Sequence, residues 1–267
     1  MNRIRPIRSA AALATGVAAA LILAACSGGT PSAASPTPTS TPLSGTVTVL
    51  AAASLTETFD RLASGFETAH PGVTVRASYG GSGALAQQIV QGAPVDVFAS
   101  AADAPMATVT KAGLATAPTE FATNVLELVV PPGNPAGVRS LADLAKPGVA
   151  TILCDVSVPC GSAAQTLLQK AGVTVKPVSL EQDVKQVLAK VELGEADAGL
   201  VYVTDAKSAG GKVGTVSVPE AAQVVNDYPI AVLSNAPNPI AARAFEAYVL
   251  GPVGRAALQK AGFGAAP

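Results

Sequence analysis

From about residue 45 onward, short β-branched and apolar runs alternate with longer Ala- and Leu-rich stretches, the rhythm of βα units that build parallel sheets. Val47–Leu50 reads as a first strand. Leu55–Ala69 reads as a helix, because Leu55, Phe59, Leu62 and Phe66 recur at three- and four-residue spacing on one face. The same reading gives strand Val73–Ser78, helix Ala84–Gln91, strand Val95–Ala99 and helix Ala104–Ala112, the last capped by Asp103. Asn124–Pro131 is strongly strand-like, and Pro132, Gly133 and Pro135 then break the rhythm. A second series follows: helix Ser140–Leu144, strand Val149–Cys154, helix Gly161–Lys170, strand Val175–Val178, helix Val184–Leu193 and strand Ala198–Val203. A last strand, Ile230–Ser234, comes after Asp227-Tyr228-Pro229, and helices Pro239–Leu250 and Pro252–Ala261 close the chain.

A chain that leaves one α/β lobe, builds another and returns predicts two parallel-sheet lobes joined by two crossing segments, near Asn124 and near Asp227. Residues 45–123 with 228–267 would form the first lobe, and 124–227 the second. Ligands of open α/β sheets sit at the carboxyl ends of the strands, so the lobes would face each other across a cleft and close by a hinge motion.

The preceding segment changes the setting. Arg3, Arg5 and Arg8 stand before an uncharged apolar stretch, Ala10–Ala25, which reads as an export signal over residues 1–25. That stretch is short for the ~20 residues of a bilayer span. Leu23-Ala24-Ala25-Cys26 resembles a bacterial lipobox, which implies that Cys26 is lipidated and anchors the chain to the outer face of the cell membrane. Residues 26–44 are almost wholly Ser, Thr, Pro, Gly and Ala, a composition that behaves as a solvated tether. With Cys26 assigned to lipid, Cys154 and Cys160 remain as a pair in an extracytoplasmic protein, and a disulfide is expected. The single histidine, His70, lies in a helix-to-strand turn, so no protein-ligated metal and no cofactor are expected. A net charge of −1 disfavours a nucleic-acid partner.

The candidate chemistry lies at strand-to-helix junctions. Ala51-Ala52-Ala53-Ser54 and Tyr79-Gly80-Gly81-Ser82 each put a serine where a helix begins, and Val158-Pro159-Cys160-Gly161 and Asp183-Val184 open helices in the second series. A helix start offers unpaired N–H groups and about half a positive elementary charge, a natural seat for an anion. Each serine also has a plainer reading as an N-cap worth about 1 kcal/mol. Asp96, Asp103, Asp155, Asp183 and Asp205 lie near the junctions and read as caps and turn formers, since an anion site repels carboxylates pointing into it. Tyr228, at the second crossing, reads as hinge packing.

Those junctions, together with Gly92–Asp103 and Gly199-Leu200-Val201-Tyr202-Val203-Thr204-Asp205, resemble the periplasmic molybdate-binding proteins of ABC transporters, in order along the mature chain. The resemblance implies a two-lobed, type II periplasmic-binding-protein fold and a receptor that hands molybdate, with tungstate bound comparably, to a membrane permease. It implies oxyanion ligands at Ser54, Ser82 and the Tyr202 hydroxyl, and main-chain donors at Cys160 and Val184. A monomer without catalytic residues is expected. None of these motifs holds Lys or Arg, so neutral donors would meet the charge. A donor-only site suits a fully deprotonated dianion, because hydrogenphosphate would bury an O–H without an acceptor at a cost of about 1–3 kcal/mol. Sulfate is the competing oxyanion. A lipid-anchored hydrolase using Ser54 or Ser82 would need an adjacent base, and a surface interaction lipoprotein would have no use for serines at successive helix starts.

Overall fold

The computed structural model describes residues 42–266. The expectations of a signal segment, lipidation at Cys26 and most of the tether therefore lie outside the described residues. No described helix is long and apolar enough to cross a membrane.

Among the described residues, nine strands form one mixed sheet. The first half contains β1 (Gly45–Ala52), β2 (Val73–Gly80) and β3 (Val97–Ala99), with β1 parallel to both neighbours. The second half contains β5 (Thr151–Cys154), β6 (Ser179–Glu181) and β7 (Ala198–Tyr202), with β5 parallel to both neighbours. Between the halves run two long antiparallel strands, β4 (Thr119–Val130) and β9 (Val225–Val232), giving the order β2-β1-β3-β9-β4-β7-β5-β6; β8 (Gly214–Val216) adds to β4. Residues 119–125 of β4 pair with β9, and residues 126–129 pair with β7. Each half therefore continues into the other through unbroken backbone.

The helices follow the apolar periodicity. In α1 (Thr56–Ala69), Phe59, Leu62 and Phe66 are buried against the first half-sheet together with Leu55, Phe245 and Tyr228. α7 (Pro239–Leu250) and α8 (Pro252–Ala261) cover the same face, and both begin with proline at the first helical position, where the missing N–H costs nothing. α2 (Ser82–Val90) and α3 (Asp103–Lys111) cover the other face through Leu85, Ile89 and Met106. In the second half, α4 (Pro159–Lys170) and α5 (Val184–Glu192) enclose Ile152, Leu167, Val187 and Val201. α6 (Val203–Ala209) follows β7 directly.

Several sequence expectations need correction. The strand expected at Val175–Val178 forms instead at Ser179–Glu181, because Pro177 has no N–H to donate to a ladder. The last strand is not Ile230–Ser234 but Val225–Val232, and it tolerates Pro229 where its partner β4 is irregular between Glu120 and Ala122. Val203 leaves the strand to open α6, a helix the periodicity did not reveal. The helix expected at Ser140–Leu144 is a single 3-10 turn, Leu141–Ala145, closed by a capping box between Ser140 and Asp143. Asp103 is not a cap: Ala102 holds that position and Asp103 is the first helical residue. The tether ends slightly earlier than Ser44, since Leu43 already packs on the first core.

Cys154, at the end of β5, and Cys160, in the first turn of α4, are joined by a disulfide across a separation of 6 residues. Closing so short a loop in the unfolded chain is worth roughly 2 kcal/mol by the chain-entropy relation. Reduction under native conditions, or the Cys154→Ala/Cys160→Ala pair, is expected to lower the melting temperature by about 5 °C. An unchanged melt after verified reduction would show that the bond adds no stability.

Candidate oxyanion site

Four chain junctions converge at one point. β1 ends in a 3-10 turn, Ala53–Leu55, that carries Ser54. β2 runs into α2, whose first residue is Ser82; α4 begins at Pro159–Cys160 and α5 at Val184. Ser54, Ser82, Cys160, Val184 and Tyr202, the five residues expected to bind the ligand, all line one small cleft with Ala52, Ala53, Gly80, Gly81, Ala101, Val158, Pro159 and Asp183. This lining contains no Lys or Arg. Its volume, measured for the centre of a water-sized sphere, is about 10 Å³. That is roughly the room of one water and far below the roughly 300–1,000 Å³ of sites for organic ligands, so the cleft excludes ligands of that size.

The plainer reading of the serines fails on geometry. Neither hydroxyl caps its helix: α1 and α2 have no side-chain cap, and Gly81 occupies the cap position of α2. Ser82 Oγ instead accepts the Ala101 N–H at 3.0 Å, and Ser54 Oγ lies 2.9 Å from the Tyr228 hydroxyl. α4 is likewise uncapped by a side chain, so its first N–H groups, Cys160 among them, are left to other partners. At α5 the Asp183 carboxylate accepts from Gln186 N at 3.0 Å, which leaves the N–H of Val184 untouched by the cap.

Tyr202 is 1% exposed, and among the described residues its hydroxyl makes no well-formed hydrogen bond, with the Tyr228 hydroxyl standing near it. Leaving such a group unsatisfied costs about 1–3 kcal/mol, which a ligand oxygen in the cleft would recover. Burial, reinforced by the neighbouring Tyr228 and Asp205, holds its phenol well above the usual tyrosine range, so it stays an O–H donor. Among the acidic residues, Asp96 accepts the Thr48 and Asn238 N–H groups, Asp155 closes a turn on Ser157, and Asp183 caps α5. Asp155 and Asp183 thus take the turn and cap roles expected of them, whereas Asp96 is neither cap nor turn former and instead ties β1 to the residue before α7.

The two halves meet tightly around the cleft. A Cβ added at Gly81 would collide with the Gln182 carbonyl oxygen and the Val158 side chain; one at Gly83 would stand 2.7 Å from the Ser157 carbonyl oxygen. Glycine is thus required where the chains of the first and second halves press together. Nearby, Lys185 of α5 pairs with Glu57 of α1 at 2.7 Å and with Asp205 of α6 at 3.1 Å. Burial draws the Lys185 ammonium down, but Asp205 and Glu57 outweigh it and hold it above the ordinary lysine value. Asp205 also accepts the Tyr202 N–H at 3.3 Å, fixing a residue that lines the cleft.

Sequence reasoning passes over Lys185 and gives Tyr228 only a packing role. Lys185 follows Val184 in an ordinary amphipathic helix, with nothing to mark it. Tyr228 was read as packing, which it also is, since its ring meets Tyr202 edge-on at 6.0 Å. Only its place at a chain crossing hinted at more.

The family model for bacterial extracellular solute-binding proteins matches residues 47–264. The molybdate-binding protein ModA of Mycobacterium tuberculosis is 46% identical over 255 residues, covering 94% of this chain and 97% of that one. Among solved structures, the periplasmic molybdate-binding protein of Azotobacter vinelandii superposes with a TM-score of 0.72 at 23% identity, covering 81% of this chain and 98% of that one. The sulfate-binding protein SubI of M. tuberculosis superposes equally well, with a TM-score of 0.71 at 22% identity and coverage of 82% and 86%. At such identities these likenesses establish the two-lobed periplasmic-binding-protein fold and do not choose between oxyanions.

Burial raises the Asp205 carboxyl to about 6, with Lys185 offsetting part of the effect. A folded-state value above the unfolded one means that the protonated form contributes stability below about pH 4, lost as pH rises through 6. The wild-type protein is therefore expected to gain about 1 kcal/mol of unfolding free energy between pH 7 and pH 5, and Asp205→Asn to flatten that rise. Equal slopes in denaturant melts of the two proteins would show that Asp205 is not the titrating group. The chain belongs to the bacterial extracellular solute-binding protein family, alongside the ModA proteins.

Proposed function

We propose that this protein captures molybdate, and tungstate comparably, outside the cytoplasm and delivers it to an ABC permease. The observation that carries the reading is that buried Tyr202, whose hydroxyl makes no well-formed hydrogen bond among the described residues, lines the same small cleft as two serines that cap nothing and the starts of three helices. Ser54, Ser82 and Tyr202 would donate through hydroxyls, and Cys160 and Val184 through backbone N–H. Each oxygen of a tetrahedral dianion accepts and none donates, so such a set matches it and mismatches hydrogenphosphate.

The choice of molybdate over sulfate rests on the 46% identity to the M. tuberculosis ModA protein over nearly the whole of both chains. The likeness to SubI is one of fold only. The hydrolase reading has no geometric support, because Ser54 pairs with a tyrosine hydroxyl and His70 packs on Phe66 at the far end of α1. We take residues 45–123 with 228–267 as one lobe and 124–227 as the other, hinged where β4 and β9 cross. In this reading the protein is a monomer tethered through lipidated Cys26.

Ligand that binds only the folded state raises the melting temperature by mass action. Molybdate and tungstate are expected to raise it strongly, sulfate less, and phosphate not at all. Ser54→Ala and Tyr202→Phe should each cut the molybdate-induced rise by an amount equivalent to about 10- to 100-fold in affinity, the loss of one hydrogen bond to a charged group. Sulfate matching molybdate in competition, or no response to any oxyanion, would overturn the assignment.

A further inference from the structure

The direction of the hydrogen bonds behind the two serines is set from strand β9. Ser82 is unambiguous: its Oγ accepts the Ala101 N–H at 3.0 Å, so its own proton is free for the cleft. Ala101 is in turn held by Asn226 of β9, whose Nδ2 donates to the Ala101 carbonyl at 2.9 Å. At Ser54 the partner is the Tyr228 hydroxyl, two residues further along β9 at 2.9 Å, and two hydroxyls can bond in either direction.

Asn124 decides between them. Its Oδ1 accepts the Val125 N–H at 3.0 Å, which fixes the orientation of the amide. Its Nδ2, which can only donate, faces Thr204 Oγ1 at 2.9 Å and the Tyr228 hydroxyl at 3.5 Å. With the Asn124 N–H directed at the Tyr228 oxygen, the tyrosine proton turns to its nearest acceptor, Ser54 at 2.9 Å, rather than to the more distant neighbouring Tyr202 hydroxyl, and the Ser54 proton is left for the cleft. Asn124 and Asn226 are cross-strand partners in the β4–β9 pairing. Asn124, Tyr228, Ser54 and Ser82 are all buried, so water does not rescue the wrong orientation.

We propose that Tyr228 and Asn226, with Asn124 behind Tyr228, are positioning residues that hold both serine hydroxyls as donors and thereby make the cleft selective for oxyanions without a proton. This rests on the oxyanion reading above and adds a specificity device to it. Without Tyr228, the Ser54 oxygen has a free lone pair and can accept from an acidic ligand O–H. With a carboxylate at position 124, which only accepts, the Tyr228 proton turns away and Ser54 must donate to Tyr228, leaving its lone pair toward the ligand.

The test is calorimetric titration of the purified protein with molybdate and with inorganic phosphate at pH 7, for wild type, Tyr228→Phe, Asn124→Asp and Asn124→Leu. Wild type should bind molybdate and discriminate strongly against phosphate. In each variant molybdate affinity should fall, and the phosphate-to-molybdate affinity ratio should rise at least 10-fold. A merely structural role weakens both anions alike; an unchanged ratio in the variants that fold overturns the proposal, and because the added carboxylate of Asn124→Asp itself disfavours the dianion, the charge-neutral Asn124→Leu, which removes the donor and keeps every ring in place, decides the matter if Tyr228→Phe does not fold. A wild-type protein that binds no oxyanion would sink the functional reading itself, an outcome distinct from binding with an unaltered ratio.

Discussion

A doubly charged anion taken out of water must be given back its hydrogen bonds, and here the groups available to do so are neutral. Transfer of a bare ion into a medium of low dielectric costs tens of kcal/mol unless dipoles replace its hydration shell. The cleft supplies serine and tyrosine hydroxyls and the open N–H groups of helix starts, none of which needs a counter-ion. Like lysine and arginine they donate to a lone pair, but each is held in place by backbone or by a second hydroxyl and none brings a charge that must be balanced when the cleft is empty. The rest of the molecule is organised around holding those dipoles still. Ser82 is fixed by Ala101, Ser54 by Tyr228, and Tyr202 by the bond from its N–H to Asp205.

The sheet explains how groups so distant in sequence arrive together. β1 and β2 end at the cleft from one side, and β5 leads into α4 from the other, so the carboxyl ends of strands in both halves point at a common centre. β4 and β9 cross between the halves and contribute Asn124, Asn226 and Tyr228 to the layer just behind the ligand groups. The strands on which the lobes would hinge are thus the same strands that orient the serines. The nearby charges are internally balanced in part: Lys185 lies between Glu57 and Asp205, outside the lining of the cleft, and ties α5 to α1.

Much of this was legible in the chain itself. The helical face of Leu55, Phe59, Leu62 and Phe66 is the buried face of α1, and the two C-terminal helices begin and end where their prolines and glycines indicate. The five candidate ligand residues share one cleft. What failed to show has physical reasons. Pro177 and Pro229 have opposite outcomes, one displacing a strand and the other sitting inside one, because only the second meets a partner strand with an irregular register. The α6 helix is about two turns long, too short for periodicity to mark it. Asp103 and Ser82 look like caps in sequence, but cap positions depend on backbone angles one residue earlier. The orienting role of Tyr228 depends on a contact across 174 positions, which no local pattern carries.

The most direct measurement is diffraction from molybdate-soaked crystals at the molybdenum absorption edge, which locates the metal of the oxyanion without reference to the protein. The expected result is one strong peak between Ser54, Ser82, Cys160, Val184 and Tyr202, with every oxygen within about 3 Å of a neutral N–H or O–H donor and no lysine or arginine in contact. A peak beside a basic side chain, or one outside this cleft, would contradict the account.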